Sequence, residues 1–150
     1  MPPLSGSVAP MKIYQAGPLF SEAERNWHLG FKQKLVAAGH EVMWPGEFFT
    51  QDEIDSFGAD AAKKIMERDR AAIDACDVVV ALLDGTQVDD GTAWEIGYAY
   101  AKGKPVVGIR TDFRNAGDTT HGRVNAMIEG SCVDIATDAA GVLELLSQIR

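Results

Sequence analysis

The apolar run at Asp77–Leu83 (DVVVALL) constrains the fold more than any other part of the chain. It shows no alternation of polar and apolar side chains, so both of its faces must be covered by other elements. Such a run is typical of a strand at the centre of a parallel sheet, because crossover helices cover both faces of parallel strands. The run therefore predicts an α/β protein built on a buried parallel sheet.

Short apolar runs alternate with helical patterns along the rest of the chain. The predicted strands are residues 11–16, 40–44, 77–83, 104–109 and 132–135, and the predicted helices are 21–38, 59–75, 91–102, 123–129 and 139–149. Ser21 and Glu24 have the spacing of a capping box at the start of the first helix. Residues 47–57 are predicted as a loop. This order indicates a flavodoxin-like, doubly wound, five-stranded parallel sheet with helices on both faces.

Length and charge narrow the class of protein. The 150 residues fit one domain, predicted over 11–150, while the Pro-, Ser- and Gly-rich residues 1–10 are predicted as a flexible leader. A net charge of −8 without a basic run disfavours nucleic acid polymers and membranes as partners. No signal pattern or membrane-length apolar run is present, so a cytoplasmic location is expected.

The cysteines and histidines do not form a metal-binding pattern. Cys76 and Cys132 are predicted as small buried hydrophobic residues, with Cys132 opening the last strand. His28 is predicted on a helix surface, His40 at a strand start and His121 in a polar loop. We therefore expect no metal site.

Ligands of doubly wound sheets bind beyond the carboxyl ends of the strands. This rule points to loops 17–20, 84–91 and 110–122. Gly17-Pro18 follows the first strand, but neither a dinucleotide fingerprint nor a Walker phosphate loop is present. Tyr14 and Phe20 flank this turn, either as core residues or as parts of a site.

Asp69 interrupts an apolar helix stripe. The stripe has helical spacing and consists of Ala62, Ile65, Met66, Ala72, Ile73 and Cys76. A carboxylate on such a stripe is costly unless it is paired, hydrogen-bonded or facing a cavity. Two interpretations stay open: a structural acid that pairs with Arg68, Arg70 or the backbone, and an acid in a binding site.

The segment Asp89-Asp90-Gly91-Thr92-Ala93-Trp94-Glu95 opens a helix directly after the central strand. Thr92 and Glu95 have capping-box spacing, and the two aspartates suit the positive end of the helix dipole. The segment also lies where a ligand of this fold would bind. It is therefore interpreted either as a helix start or as part of a site.

Taken together, these pieces resemble one family. KIYQAGPLF, the isolated Asp69, DDGTAWEIGYAYAKGKPV and Asn125-Ala126-Met127 are similar to the nucleoside 2-deoxyribosyltransferases over nearly all of residues 11–150. The resemblance implies that Glu95 is the nucleophile and that Asp69 and Asp89 hold and protonate the nucleobase. It implies that Tyr14 positions Glu95.

The resemblance also implies a set of substrate-binding residues: Tyr14, Gly17, Phe20, Asp90, Gly91, Asn125 and Met127. In the family, the segment with Asn125 and Met127 serves the active site of a neighbouring subunit, so a homo-oligomer is expected. The expected partners are deoxynucleosides and free nucleobases, and no cofactor is expected.

The implied reaction is transfer of 2-deoxyribose between nucleobases through a covalent glycosyl-Glu95 intermediate, with retention of configuration. Some members end in an aromatic, carboxylate-bearing tail, whereas residues 145–150 read LLSQIR, so base recognition is expected to differ. The GRVNAMI segment (122–128) also resembles the 5′-monophosphate N-glycosidases. A hydrolase of deoxynucleoside monophosphates is therefore one alternative, and a non-catalytic nucleoside- or nucleotide-binding domain is another.

Overall fold

The structure is a computed structural model that describes residues 9–149. Its strands are β1 Lys12–Ala16, β2 Glu41–Met43, β3 Val78–Leu82, β4 Val106–Ile109 and β5 Asp134–Ala136. They form one sheet in the order β2-β1-β3-β4-β5, and every neighbouring pair is parallel. The predicted doubly wound, flavodoxin-like sheet is confirmed, and its strand order reverses between β1 and β3.

Six α-helices occur in this part of the chain: α1 Glu22–Ala37, α2 Gln51–Ser56, α3 Ala61–Ala75, α4 Asp90–Ala101, α5 Ala126–Glu129 and α6 Ala139–Gln148. Helices α1 and α6 pack on one face of the sheet, and α3 and α4 pack on the other. Val78 and Val80 of β3 point to the first face and Val79 to the second, each fully buried. Burial on both faces explains the unbroken apolar run.

The segment predicted as a loop, residues 47–57, contains helix α2. Thr50 caps this helix by accepting a hydrogen bond from the backbone of Glu53, whose side chain accepts one from the Thr50 backbone. The loop prediction was wrong because the six helical residues have no apolar period, although Thr50 and Glu53 do have capping-box spacing. The capping box of Ser21 and Glu24 at α1 is confirmed.

His28 is completely buried, so the prediction that it lies on the helix surface was wrong. It precedes Phe31 by three positions and Leu35 by seven, and therefore shares their core-facing side of α1. Cys76 is buried as predicted, whereas Cys132 is half-buried and lies before β5 rather than at its start.

The first eight residues of the predicted leader lie outside the described part, and Ala9 and Pro10 are exposed without regular structure. Within residues 9–149, none of the helices has the length and apolar character needed to span a membrane.

Candidate active site

A cleft of about 550 Å³ opens beside the carboxyl ends of β1 and β3, where the strand order reverses. Doubly wound sheets bind ligands at this point because the two flanking loops diverge there. The walls come from the β1–α1 loop, the α2 segment, α3 and the start of α4: Gly17, Leu19, Phe20, Pro45, Phe49, Gln51, Ile54, Ala62, Ile65, Met66, Asp69, Asp89, Gly91, Trp94 and Glu95.

Glu95 lies on α4, and its carboxylate contacts the end of the Tyr14 side chain. Tyr14 is fully buried in β1, and its hydroxyl donates a hydrogen bond to Glu95 Oε2. Burial raises the pKa of Glu95 to about 8; the Tyr14 bond opposes this rise, and the charges of Asp69 and Asp89 add to it. Burial and the Glu95 charge raise the pKa of Tyr14, so its hydroxyl stays a donor.

Asp69 faces the cleft from the apolar stripe of α3. Burial raises its pKa to about 6, with Arg68 opposing the rise. The Arg68 guanidinium instead lies over the Phe48 ring at 3.9 Å, and within residues 9–149 Asp69 forms no ion pair shorter than 4 Å. The cavity interpretation of Asp69 therefore fits the structure better than the paired structural acid.

The start of α4 corrects the predicted capping box of Thr92 and Glu95. Asp89 is the N-cap, and its Oδ2 accepts hydrogen bonds from the backbone N and the hydroxyl of Thr92, both at 2.9 Å. Thr92 is thus the third residue of the helix instead of its cap. Glu95 is consequently not used for capping, and its carboxylate is left to face the cleft.

The structure brings only some of the other predicted substrate residues to the cleft. Gly17, Gly91 and the 73% exposed Phe20 line it. Asp90 is exposed, accepts a hydrogen bond from the Gly91 backbone and does not line the cleft.

Asn125 and Met127 lie outside the cleft, at the start of α5. Asn125 caps this short helix by accepting a hydrogen bond from the Met127 backbone, and its side-chain amide donates to Asp118 at 3.1 Å. Met127 is 79% exposed. These two residues are therefore not brought together with Glu95 within one chain.

Most of the apolar wall of the cleft was not predicted from the sequence. Leu19, Phe49, Ile54 and Trp94 line the cleft, and Ile65 and Met66 of the α3 stripe face it rather than the core. The charged residues among the lining side chains of the described chain are three carboxylates, with no lysine, arginine or histidine.

We also compared the cleft with the side-chain clusters that bind metal ions. Within the described residues, no three His, Cys, Asp or Glu side chains are arranged to hold a metal ion. The arrangement instead offers a carboxylate held by a phenol and two further acids against an apolar wall. Such a site can supply both a nucleophile and a proton donor.

Solved structures share this architecture. A conserved protein from Enterococcus faecalis V583 superposes with a TM-score of 0.74 at 32% identity, covering 93% of this chain and 99% of that chain. The 2-deoxyribosyltransferase from Bacillus psychrosaccharolyticus gives 0.71 at 28% identity, covering 88% and 90%. A CMP N-glycosidase from Clostridium botulinum gives 0.58 at 21% identity, covering 90% and 97%, and shows likeness of fold alone.

Sequence comparisons agree with the structural ones. An uncharacterized protein of Schizosaccharomyces pombe is 44% identical over 61 residues, which are 38% of this chain and 29% of that protein. The chain thus spans less than a third of this relative's length. The model of the nucleoside 2-deoxyribosyltransferase family matches residues 13–134, which include Tyr14, Asp69, Asp89 and Glu95. On this match over most of its length, the chain belongs to the nucleoside 2-deoxyribosyltransferase family.

Proposed function

We propose that the protein transfers 2-deoxyribose between nucleobases by double displacement at Glu95. One observation carries the proposal: the Glu95 carboxylate, held by the buried Tyr14 hydroxyl, lies in an apolar cleft together with Asp69 and Asp89. Two acids of different pKa beside a glycosidic bond are the arrangement that retaining glycosidases use.

In the first step, a Glu95 oxygen bonds to C1′ of the deoxynucleoside while the C1′–N bond breaks. The electron pair of that bond goes to the base, which takes a proton from Asp69. The raised pKa of Asp69, about 6, makes this acid a proton donor near neutral pH. Asp89 uses Oδ2 to cap α4, which leaves Oδ1 as its free oxygen for the base.

In the second step, a nitrogen of the incoming base attacks C1′ and releases the Glu95 carboxylate. The proton of that nitrogen returns to Asp69. Each step inverts C1′, so the product keeps the β configuration. An apolar wall favours this transfer over hydrolysis because it binds a second base and excludes water.

The proton count limits the active form of the enzyme. Asp69 and Glu95 have pKa values of about 6 and about 8, so the pair holds one proton between these pH values. The reactive form is the one in which that proton lies on Asp69 and Glu95 is ionised. In the transition state, the positive charge that develops at C1′ lies next to the Glu95 carboxylate and stabilises its ionised form.

The charge of the cleft favours uncharged nucleosides over nucleotides. Three carboxylates line the described cleft without a cationic side chain, and a 5′-phosphate next to them would be repelled. The N-glycosidase alternative therefore has weaker support, although its GRVNAMI-type segment is present at 122–128.

We further propose that the protein acts as a homo-oligomer in which Asn125 serves a neighbouring subunit's cleft. Exposed Met127 on the same short helix, and Trp94 and Tyr100 at 47% and 62% exposure on α4, support this assignment. Exposed aromatic and methionine side chains are enriched in interface cores.

Labelling with a 2′-fluoro-2′-deoxynucleoside, which slows the second step, tests the nucleophile. Mass spectrometry of a digest should find the fluorosugar on Glu95. Glu95→Gln should remain unlabelled, and Glu144→Gln, on the exposed side of α6, should be labelled like the wild type. Labelling of another residue would refute the assignment.

Product analysis separates transfer from its alternatives. Deoxyinosine with free adenine should give β-deoxyadenosine. Formation of free base and free sugar alone, or much faster consumption of the 5′-monophosphate, would identify an N-glycosidase. Nucleoside binding without turnover or labelling would identify a binding domain.

A further inference from the structure

The β1–α1 loop, which supplies Gly17, Leu19 and Phe20 to the cleft, is braced from behind by a buried imidazole. We propose that His28 is a positioning residue that fixes this cleft wall and thereby sets the affinity for the nucleoside. The inference rests on the proposed function for the identity of the ligand. His28 itself does not line the cleft, so it acts through the loop.

Both ring nitrogens of His28 are engaged. Nε2 lies 3.0 Å from the carbonyl oxygen of Pro18, and Nδ1 lies 2.9 Å from the side-chain nitrogen of Gln15. That Gln15 nitrogen also donates to the backbone carbonyl of His28 at 3.0 Å, which identifies it as the amide NH₂ group. Nδ1 is therefore the acceptor, and Nε2 carries the proton donated to Pro18.

Burial keeps this hydrogen-bonding pattern in place. Burial lowers the pKa of His28, which favours the neutral ring with one donor and one acceptor. The ring stacks on Trp44 with centroids 5.6 Å apart and meets the edge of Trp27 at 5.1 Å. Held from these sides, the imidazole gives the Pro18 carbonyl a fixed donor.

Gly17 makes the contact between ring and loop direct. A Cβ built at Gly17 would lie 2.6 Å from His28 Cε1 and 3.0 Å from the Cβ of Leu82. The Gly17 backbone therefore runs against the ring, and a side chain would push the cleft wall away from it.

Other side chains of α1 hold the same loop from the solvent side. Arg25 donates to the carbonyls of Leu19 and Phe20 at 3.3 and 2.9 Å, and Glu24 accepts from the Phe20 backbone at 3.1 Å. These bonds are exposed and compete with water, whereas the His28 side chain is fully buried and its bond to Pro18 is partly buried.

His28 forms no hydrogen bond with the three acids that are proposed to carry out the reaction. Glu95 lies on α4, Asp89 caps the start of α4 and Asp69 lies on α3. Loss of the hydrogen bond from His28 to Pro18 should therefore weaken substrate binding and leave the chemical step nearly unchanged. Such a change raises KM without lowering kcat.

The test compares His28→Phe, which keeps an aromatic ring but has no donor, with His28→Gln, whose amide nitrogen can reach the Pro18 carbonyl. We expect His28→Phe to raise KM for the deoxynucleoside about tenfold, which corresponds to the loss of one hydrogen bond, and to change kcat by no more than about threefold. His28→Gln should recover most of the loss. Gly17→Ala, which displaces the loop from its own side, should raise KM similarly and remains informative if His28→Phe does not fold.

A second measurement does not depend on turnover. Each substitution is placed in the Glu95→Gln background, and the Kd for the deoxynucleoside is measured by calorimetry. Kd should follow the same order as KM. If the wild type binds a deoxynucleoside but does not turn it over, the proposed function fails while the Kd comparison still tests His28. Equal KM and Kd in all variants, or a fall in kcat alone, would overturn the positioning role.

Discussion

Glu95→Gln is expected to make the protein more stable while it removes the proposed nucleophile. The wild-type carboxyl has its pKa raised from an ordinary value of 4.5 to about 8, mainly by burial. Glutamine has nearly the same shape, stays neutral at every pH and can still accept the Tyr14 hydrogen bond. The substitution therefore removes the cost of ionising a buried group without opening a cavity.

The sign and the pH window follow from proton linkage. Between pH 4.5 and 8 the carboxyl of the unfolded chain has lost its proton while the folded carboxyl keeps it, so wild-type stability falls as pH rises through this window. At about 1.4 kcal/mol per pKa unit, the loss reaches on the order of 4–5 kcal/mol above pH 8. Glu95→Gln avoids this loss, which corresponds to a rise in Tm on the order of 10 °C.

The assay is thermal and urea unfolding of wild type and Glu95→Gln at pH values from 4 to 9. The two proteins should unfold alike at pH 4 and diverge steadily up to pH 8. Glu144→Gln controls for removing one negative charge from a chain with a net charge of −8. A stability difference that does not change with pH would refute the burial argument for Glu95.

Three further predictions concern the pH profile, the proton donor and assembly. The kcat/KM of the wild type should be bell-shaped with flanks near pH 6 and pH 8, because below the first Glu95 is protonated and above the second Asp69 has no proton to give. Asp69→Asn should lower kcat by about 10²–10⁴-fold, and a nearly normal rate would reject Asp69 as the acid. Homo-oligomers of Glu95→Ala and of Asn125→Ala should each be nearly inactive, and their mixture should regain activity after subunit exchange is verified by mass spectrometry. If exchange occurs without recovery, Asn125 does not serve a neighbour's cleft.

The fold could be predicted from the sequence because its signals are local. The apolar run of β3 and the capping box of Ser21 and Glu24 each depend on residues a few positions apart, and the structure confirms both. The missed helix α2 also had a local signal, at Thr50 and Glu53, but its short length gave no apolar period to support it.

Residue patterns singled out Asp69, Asp89 and Glu95 but left open whether each is structural or part of a site, and no pattern indicated their proton affinities. The raised pKa of Glu95 comes from burial and from Asp69, a residue 26 positions earlier in the chain. Desolvation depends on which distant segments cover a group, and no local pattern records it.

The tertiary structure likewise decided which residues of an apolar stripe face a cavity. Met66 lines the cleft, while Ile73, two turns later on α3, is fully buried in the core. Both fit the same helical period. The sequence by itself determined the order of the elements and the acids that follow them, because hydrophobic period and capping act over a few residues. Only packing determined the cleft wall, the buried His28 and the proton affinities, because each depends on contacts between segments far apart in the chain.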